Sequence, residues 1–195
     1  MMRHGLCLEM LMIDDKALML SVKAGELDNL AQLFEKYHVA LLNYFVRMGN
    51  ARSLAEDLVQ ETFVRVLTYR KTYQGENLFS SWLYRIARNT AIDYHRKPAQ
   101  KQAHAHDSFE DSEHSDQKTL TEGLQESERQ QHFEQALCAL QPEQRELIIL
   151  SRYQQLKYEE IAELLGLKVN TLKTRMRAAL SALKQQYDLL AGVSI

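Results

Sequence analysis

Two stretches of helical periodicity, about 15–97 and 129–190, are separated by a segment that cannot build a core of its own. That segment is rich in Gln, Ser and His, and between 102 and 128 it has eight acidic residues against one base, Lys118. Such a segment stays unfolded alone because it buries too little apolar surface to offset its chain entropy. We therefore expect an N-terminal tail (1–14), two helical domains (15–97 and 129–190) and an acidic flexible linker (98–128).

Glycine and proline are scarce in this chain, at 7 and 2 of 195 residues. Sandwiches and barrels need many tight turns, and those turns rely on both residue types. Apolar residues in both periodic stretches recur every three or four positions, which is the spacing of an amphipathic helix. The sequence therefore predicts an all-α protein built from two small helical domains.

Cysteine content and hydropathy exclude two further classes. Cys7 and Cys138 cannot form a disulfide framework, and no stretch approaches the ~18 apolar residues of a membrane span. The segment Gly5–Ile13 is interrupted by Glu9 and lacks the basic flank and cleavage site of a signal peptide. We expect a cytoplasmic protein with no direct membrane insertion.

The formal net charge is only −2, but the basic residues are concentrated in two places. Arg65–Lys101 has eight basic and two acidic residues, and Lys168–Lys184 has five basic residues and no acidic one. One basic stretch is often no more than a solvated helix face. Two of them, each on a helix with a clean apolar stripe, favour nucleic-acid binding.

The segment from Tyr158 to Leu183 has the pattern of a helix-turn-helix. Gly166 stands where a left-handed residue ends the first helix. The second helix has an acid-free outward face on which amide and hydroxyl groups can reach base edges while basic side chains hold phosphates. A helical hairpin that packs only on its own domain is the alternative. The outward residues are Asn170, Thr171, Thr174, Arg177 and Ala178, flanked by Lys173 and Arg175.

Lysines stand near both helix starts, at Lys157 and Lys168, where Ser, Thr or Asp is the usual cap. A cation there opposes the helix dipole by roughly 0.3–1 kcal/mol. A phosphate bound at that helix end would offset the cost. We therefore interpret Lys168 as a phosphate contact.

The N-terminal stretch contains a long predicted helix, Leu54–Lys71, with one apolar side. Its other side carries Asp57, Gln60, Glu61 and Val64. This acidic-amide face is either a plain solvated surface or a protein docking surface.

A second predicted helix, Phe79–Lys97, follows a loop at Tyr73–Asn77. A basic helix face beside such a loop suits single-stranded nucleic acid, because arginines meet phosphates while a pocket takes an unstacked base. Trp82 lies at the edge of the apolar stripe, which favours a core position over a base-stacking one. The outward residues are Arg85, Arg88, Asn89, Ile92, His95 and Arg96.

Taken together, these stretches resemble the sigma-70 family of RNA polymerase sigma factors, specifically the small extracytoplasmic-function (ECF, group IV) class. Leu33–Tyr37, DLVQETFVRV (Asp57–Val66) and FSSWLYRIARNTAIDYHRK (Phe79–Lys97) resemble region 2 of that family. The stretch Ala136–Leu180 resembles region 4. Each run alone is a weak signal, whereas their order is specific.

The resemblance implies a dissociable polymerase subunit that directs core enzyme to promoters and opens the minus-10 element. Asp57, Gln60, Glu61 and Val64 would bind the β′ clamp helices, and region 4 would contact the β flap. Tyr73, Gly75, Asn77, Arg85, Arg88, Asn89 and Arg96 would bind the minus-10 element. Lys168, Asn170, Thr171, Lys173, Thr174, Arg175 and Arg177 would bind the minus-35 element in duplex form.

This chain departs from the family pattern in the recognition helix. The family usually has Gly-Thr and a later Arg-Ala, where this chain has Asn170-Thr171 and Ala178-Ala179. A polar side chain is lost at Ala178, so we expect the minus-35 contacts to be made more by Lys173, Arg175 and Arg177. The resemblance also implies an anti-sigma partner, often membrane-bound, that would hold the chain at the inner membrane face until a signal releases it.

An ordinary helix-turn-helix regulator, acting as a dimer on duplex sites without core enzyme, is the alternative function. It leaves the acidic-amide face and the basic face of the second helix without a role. The sequence shows no Gly-rich phosphate loop, nucleophile elbow or metal-hydrolase motif, and His104, His106 and His114 are interpreted as solvated linker side chains. We expect no enzymatic activity and therefore no catalytic residues, no metal and no cofactor.

Overall fold

The structure, a computed structural model, describes residues 14–96 and 122–192. Those two ranges contain eight α-helices and no strand, so the all-α prediction is confirmed for them. Most of the tail, most of the acidic segment and its three histidines lie outside the described residues. One helix begins at Glu122, inside the segment predicted as linker.

Four helices form the N-terminal domain: α1 (Asp15–Ala24), α2 (Asn29–Arg47), α3 (Arg52–Tyr69) and α4 (Phe79–Arg96). A 3-10 turn, Arg70–Thr72, follows α3. Helix α3 packs against both α2 and α4, and α1 packs against α2. The core between them contains Leu33, Leu41, Phe45, Val66 and Leu83, none of which has exposed surface.

The C-terminal domain consists of α5 (Glu122–Cys138), α6 (Pro142–Arg152), α7 (Tyr158–Leu165) and α8 (Val169–Leu190). Helix α8 packs against the other three. Pro142 occupies the first turn of α6, where its missing N–H costs no hydrogen bond. Leu137, Ile149, Ile161, Leu172 and Ala179 are fully buried in this domain.

The turn between α7 and α8 confirms the predicted helix-turn-helix. Gly166 ends α7 in the left-handed conformation at φ +67°, and the Leu167 N–H donates to the Ala162 carbonyl at 2.7 Å. The spacing of Leu172, Met176, Ala179, Leu180 and Leu183 predicts one apolar stripe along α8. Leu180 is nevertheless 49% exposed, because Met176, Ala179 and Leu183 fill the buried face.

The two domains contact each other through α4 with α7 and through α2 with α5. Their buried apolar residues form one connected cluster. Within the described ranges, no helix combines the length and hydropathy that a membrane crossing requires.

Candidate polymerase and promoter interfaces

The acidic-amide face of α3 points to solvent. Asp57, Gln60, Glu61 and Val64 are all exposed, and Val64 is 58% exposed. Arg65 Nε donates to Glu61 Oε1 at 2.8 Å, and Arg65 Nη1 donates to Asp93 Oδ2 on α4 at 2.6 Å. Arg65 therefore links Glu61 to α4, and the face presents acidic, amide and apolar groups side by side.

The loop at 73–77 is anchored by a buried tyrosine. The Tyr73 side chain is 2% exposed and lies against Phe79 and Trp82, with ring centroids 6.2 and 5.3 Å away. Its hydroxyl donates to the Asn77 carbonyl at 3.2 Å. Burial raises the pKa of Tyr73 above its ordinary value. The ring therefore supports the loop from inside, and in this conformation it does not face a ligand.

Trp82 is partly buried and packs against the core, as the sequence favoured. The other loop residues differ in exposure. Gly75 has φ +71°, a conformation that L side chains rarely adopt, and it is buried. Asn77 is exposed beside the start of α4.

The basic face of α4 is partly covered by the C-terminal domain. Asn89 and Arg96 are exposed, whereas the Arg85 and Arg88 side chains are 43% and 35% exposed. Both of the latter arginines are ion-paired with carboxylates of the other domain.

Glu163 of α7 lies at the loop end of this face. Its Oε1 accepts from Asn77 Nδ2 at 2.5 Å and from Arg85 Nη2 at 3.2 Å. The two donors belong to the residues that the sequence assigned to minus-10 binding. A carboxylate of the C-terminal domain therefore occupies the position in which these two donors could meet an anion.

Glu146 of α6 is the second carboxylate in the interface, and it is 6% exposed. It accepts from Arg88 Nε at 3.0 Å and from the Tyr44 hydroxyl at 3.1 Å. Burial, and then the neighbouring Glu146, raise the pKa of Tyr44 well above its ordinary value. An acid in such a position requires both partners, because an unpaired buried carboxylate is costly.

Further contacts fix the two domains at the other end of the interface. The Arg47 guanidinium lies 3.9 Å from the centroid of the Tyr153 ring and pairs with Glu134 at 3.5 Å. The Tyr84 hydroxyl donates to Gln154 Oε1. Sequence reasoning missed this interface. The one local signal is Glu146 itself, an acid adjoining the apolar run Leu147–Leu150.

The outward face of α8 is open to solvent. All seven residues predicted to bind the minus-35 element are exposed: Lys168, Asn170, Thr171, Lys173, Thr174, Arg175 and Arg177. Lys168 is the N-cap of α8 and makes no side-chain capping bond. Thr174 Oγ1 donates to the Asn170 carbonyl at 3.1 Å, which leaves the hydroxyl oxygen free to accept.

Helix α7 begins differently from α8. Its N-cap is Lys157, and the Lys157 backbone N–H donates to the Glu160 carboxylate at 2.8 Å. The cation at this helix start therefore has an acidic neighbour in the first turn. Among the described residues, no cluster of His, Cys, Asp and Glu has the arrangement of a metal site.

The described residues thus form one domain with an exposed acidic-amide helix face and a basic helix face, and a second domain with a helix-turn-helix. The family model for Sigma-70 region 2 matches residues 33–101, and the model for Sigma-70, region 4 matches residues 130–183.

Proteins similar to this chain indicate which class of the sigma-70 family it resembles. The ECF RNA polymerase sigma factor SigW of Bacillus subtilis is 30% identical over 179 residues, which cover 85% of this chain and 92% of SigW. The sigma factor YlaC of the same organism is 29% identical over 81% of this chain and 91% of its own length. The sigma factor RpoE of Bartonella quintana, solved in complex with the anti-sigma factor NepR, superposes with a TM-score of 0.62 at 26% identity, covering 85% of this chain and 98% of that one. The chain belongs to the sigma-70 family, in its ECF class.

Proposed function

We propose that this chain is a dissociable subunit of RNA polymerase that brings core enzyme to promoters and opens the minus-10 element. The observation that carries this function is the pair of separate surfaces on the N-terminal domain. One is an exposed acidic-amide face with an apolar residue in it, and the other is a basic face beside a loop. A duplex-binding dimer would use neither surface.

Core enzyme docks on the acidic-amide face of α3. Val64 is 58% exposed, and an exposed apolar side chain among acids and amides suits a partner that brings both apolar and basic groups. The β′ clamp helices are that partner, and the β flap contacts the C-terminal domain. Asp57, Gln60 and Glu61 set the orientation through charge and hydrogen bonds.

The basic face of α4 and the loop at 73–77 bind the minus-10 element. Asn77, Arg85, Arg88, Asn89 and Arg96 supply donors for phosphates and for an unstacked base. Tyr73 and Gly75 act through the backbone of the loop, since the Tyr73 ring is buried. Helix α8 binds the minus-35 duplex with its seven exposed polar and basic residues.

Separation of the two domains would favour minus-10 binding. While Glu163 and Glu146 accept hydrogen bonds from Arg85 and Arg88, each carboxylate offsets the charge of its arginine and repels a phosphate brought to the same side chain. The described arrangement is therefore a closed one. An anti-sigma partner that favours the closed arrangement would keep the chain inactive, and core enzyme would favour the open one.

The test is co-purification of the full chain with RNA polymerase core. The double variant Asp57→Ala/Gln60→Ala should lose core while keeping its melting temperature, because both side chains are exposed. The matched control is Lys173→Ala/Arg177→Ala, which removes exposed residues of the other domain and should retain core. Equal core binding by wild type and the first variant would refute the assignment of this face.

A further inference from the structure

Helix α1 lies ahead of the part of the chain that matches region 2, which begins at residue 33. It nevertheless contacts the 3-10 turn that leads into the 73–77 loop, and it also contacts α4. Asp14 caps its first turn by accepting from the Lys16 N–H at 3.2 Å, and Gly25 ends it at φ +118°. The helix is thus a defined element beside the loop.

Lys23 connects α1 directly to the loop. Its ammonium donates to the backbone carbonyl of Tyr73 at 2.5 Å, and the bond is partly buried. A bond from a charged donor is stronger than a neutral one and is strengthened further when water is partly excluded. The carbonyl of the first loop residue is therefore fixed from outside the loop.

Helix α1 also packs directly against the backbone of the 73–77 loop. A Cβ placed on Gly75 would lie 3.0 Å from Lys16 Cε and 3.6 Å from the Leu20 methyl groups. The backbone of the loop therefore rests directly on aliphatic side chains of α1. The Tyr73 hydroxyl holds the far end of the loop through the Asn77 carbonyl.

We propose that Lys23 is a positioning residue for minus-10 recognition. By holding the Tyr73 carbonyl, it fixes the loop so that Asn77 is presented beside Arg85, where both donors now meet one acceptor. This inference rests on the proposed function of the loop. Without Lys23 the loop samples more conformations, and ordering it on binding weakens recognition of the correct strand.

The experiment measures binding of non-template-strand oligonucleotides by holoenzyme assembled from the full chain and core. One oligonucleotide carries the minus-10 element of a promoter that the holoenzyme transcribes, and the second carries substituted bases there. Lys23→Met should weaken binding of the first by about tenfold, the equivalent of one charged hydrogen bond. It should weaken binding of the second much less, so discrimination between the strands falls.

Two variants separate geometry from charge. Lys23→Arg keeps a charged donor and should restore discrimination, whereas Lys16→Met removes a charge from the same helix and should weaken both strands alike, by a small factor. Lys23→Gln, which keeps a neutral donor, should be intermediate and replaces Lys23→Met if that variant does not fold. Core binding should be unchanged in every variant used, and a thermal melt should show that each variant is folded at the temperature of the assay.

The outcomes distinguish this inference from the proposed function. A wild-type holoenzyme without preference for the minus-10 strand would refute the function of the loop. A wild-type preference that is retained in full by Lys23→Met would overturn the role of Lys23. Equal weakening of both strands by Lys23→Met, matching Lys16→Met, would overturn it as well, because that pattern is a charge effect.

Discussion

Replacing Glu146 should release the minus-10 face of the free chain. Glu146 is 6% exposed and joins the two domains by accepting from Arg88 and from Tyr44. Glu146→Ala removes both bonds but leaves every proposed DNA-binding residue in place. We therefore expect the equilibrium between closed and open arrangements to move toward the open one.

The magnitude follows from the two bonds. Both bonds are accepted by a carboxylate, and a hydrogen bond to a charged group contributes about 1.5–3 kcal/mol. Arg88 is 35% exposed, and the buried Glu146 carboxylate regains water when the domains separate, so we take the net loss as about 2 kcal/mol. Since 1.4 kcal/mol corresponds to a tenfold change in an equilibrium constant, the ratio of closed to open chains should fall by a factor of about 30.

The assay is binding of a minus-10 oligonucleotide to the chain without core, together with the radius of gyration from small-angle X-ray scattering. Glu146→Ala should bind more tightly, by up to about 30-fold, and should be larger than wild type. Glu159→Ala is the control, because it removes an exposed acid of α7 that lies outside the hydrogen bonds joining the two domains, and it should change the affinity little. Unchanged affinity and radius for Glu146→Ala would refute the reasoning.

Three further predictions concern single sites. Lys168→Ser should stabilise the chain by about 1 kcal/mol, since serine supplies an N-cap for α8. The same variant should weaken binding of the minus-35 duplex by holoenzyme, and tighter binding would contradict a phosphate contact by Lys168. Gly166→Ala should lower the free energy of unfolding by about 1–2 kcal/mol, because residue 166 has a positive φ, and Gly166→Asn should lower it less. Equal melting temperatures for Gly166→Ala and wild type would contradict this. Because the pKa of Tyr44 is raised in the folded state, its contribution to stability is complete below pH ~10, the unfolded value, and falls as the pH rises above it, since the unfolded chain ionises first. A Tyr44→Phe variant that loses as much stability as wild type between pH 9 and 11 would contradict that assignment.

Helical periodicity was sufficient to predict four of the eight described helices, α3, α4, α7 and α8, and most of their faces. The exposed side of α3 and the outward side of α8 both follow from a 3.6-residue repeat, which is a local property of the chain. Gly166 similarly marks a turn that only a few residue types can adopt. These features depend on short stretches of sequence, so they could be predicted without the fold.

The interface between the domains could not be predicted in this way. Glu146 and Arg88 are far apart in sequence, and their pairing depends on how two separately folded domains are placed. The direction of the Tyr73 ring is also a tertiary property, because the aromatic cluster with Phe79 and Trp82 determines it. Lys23 gave no signal at all, since a lysine near the end of an amphipathic helix is ordinarily a solvated residue.

Run-off transcription with purified core enzyme and a pool of promoter fragments tests the central proposal most directly. We expect transcripts from a subset of fragments only when chain and core are both present, and loss of those transcripts with Asp57→Ala/Gln60→Ala. Absence of transcripts and of any complex with core, even if the chain binds duplex DNA alone, would contradict the proposed function.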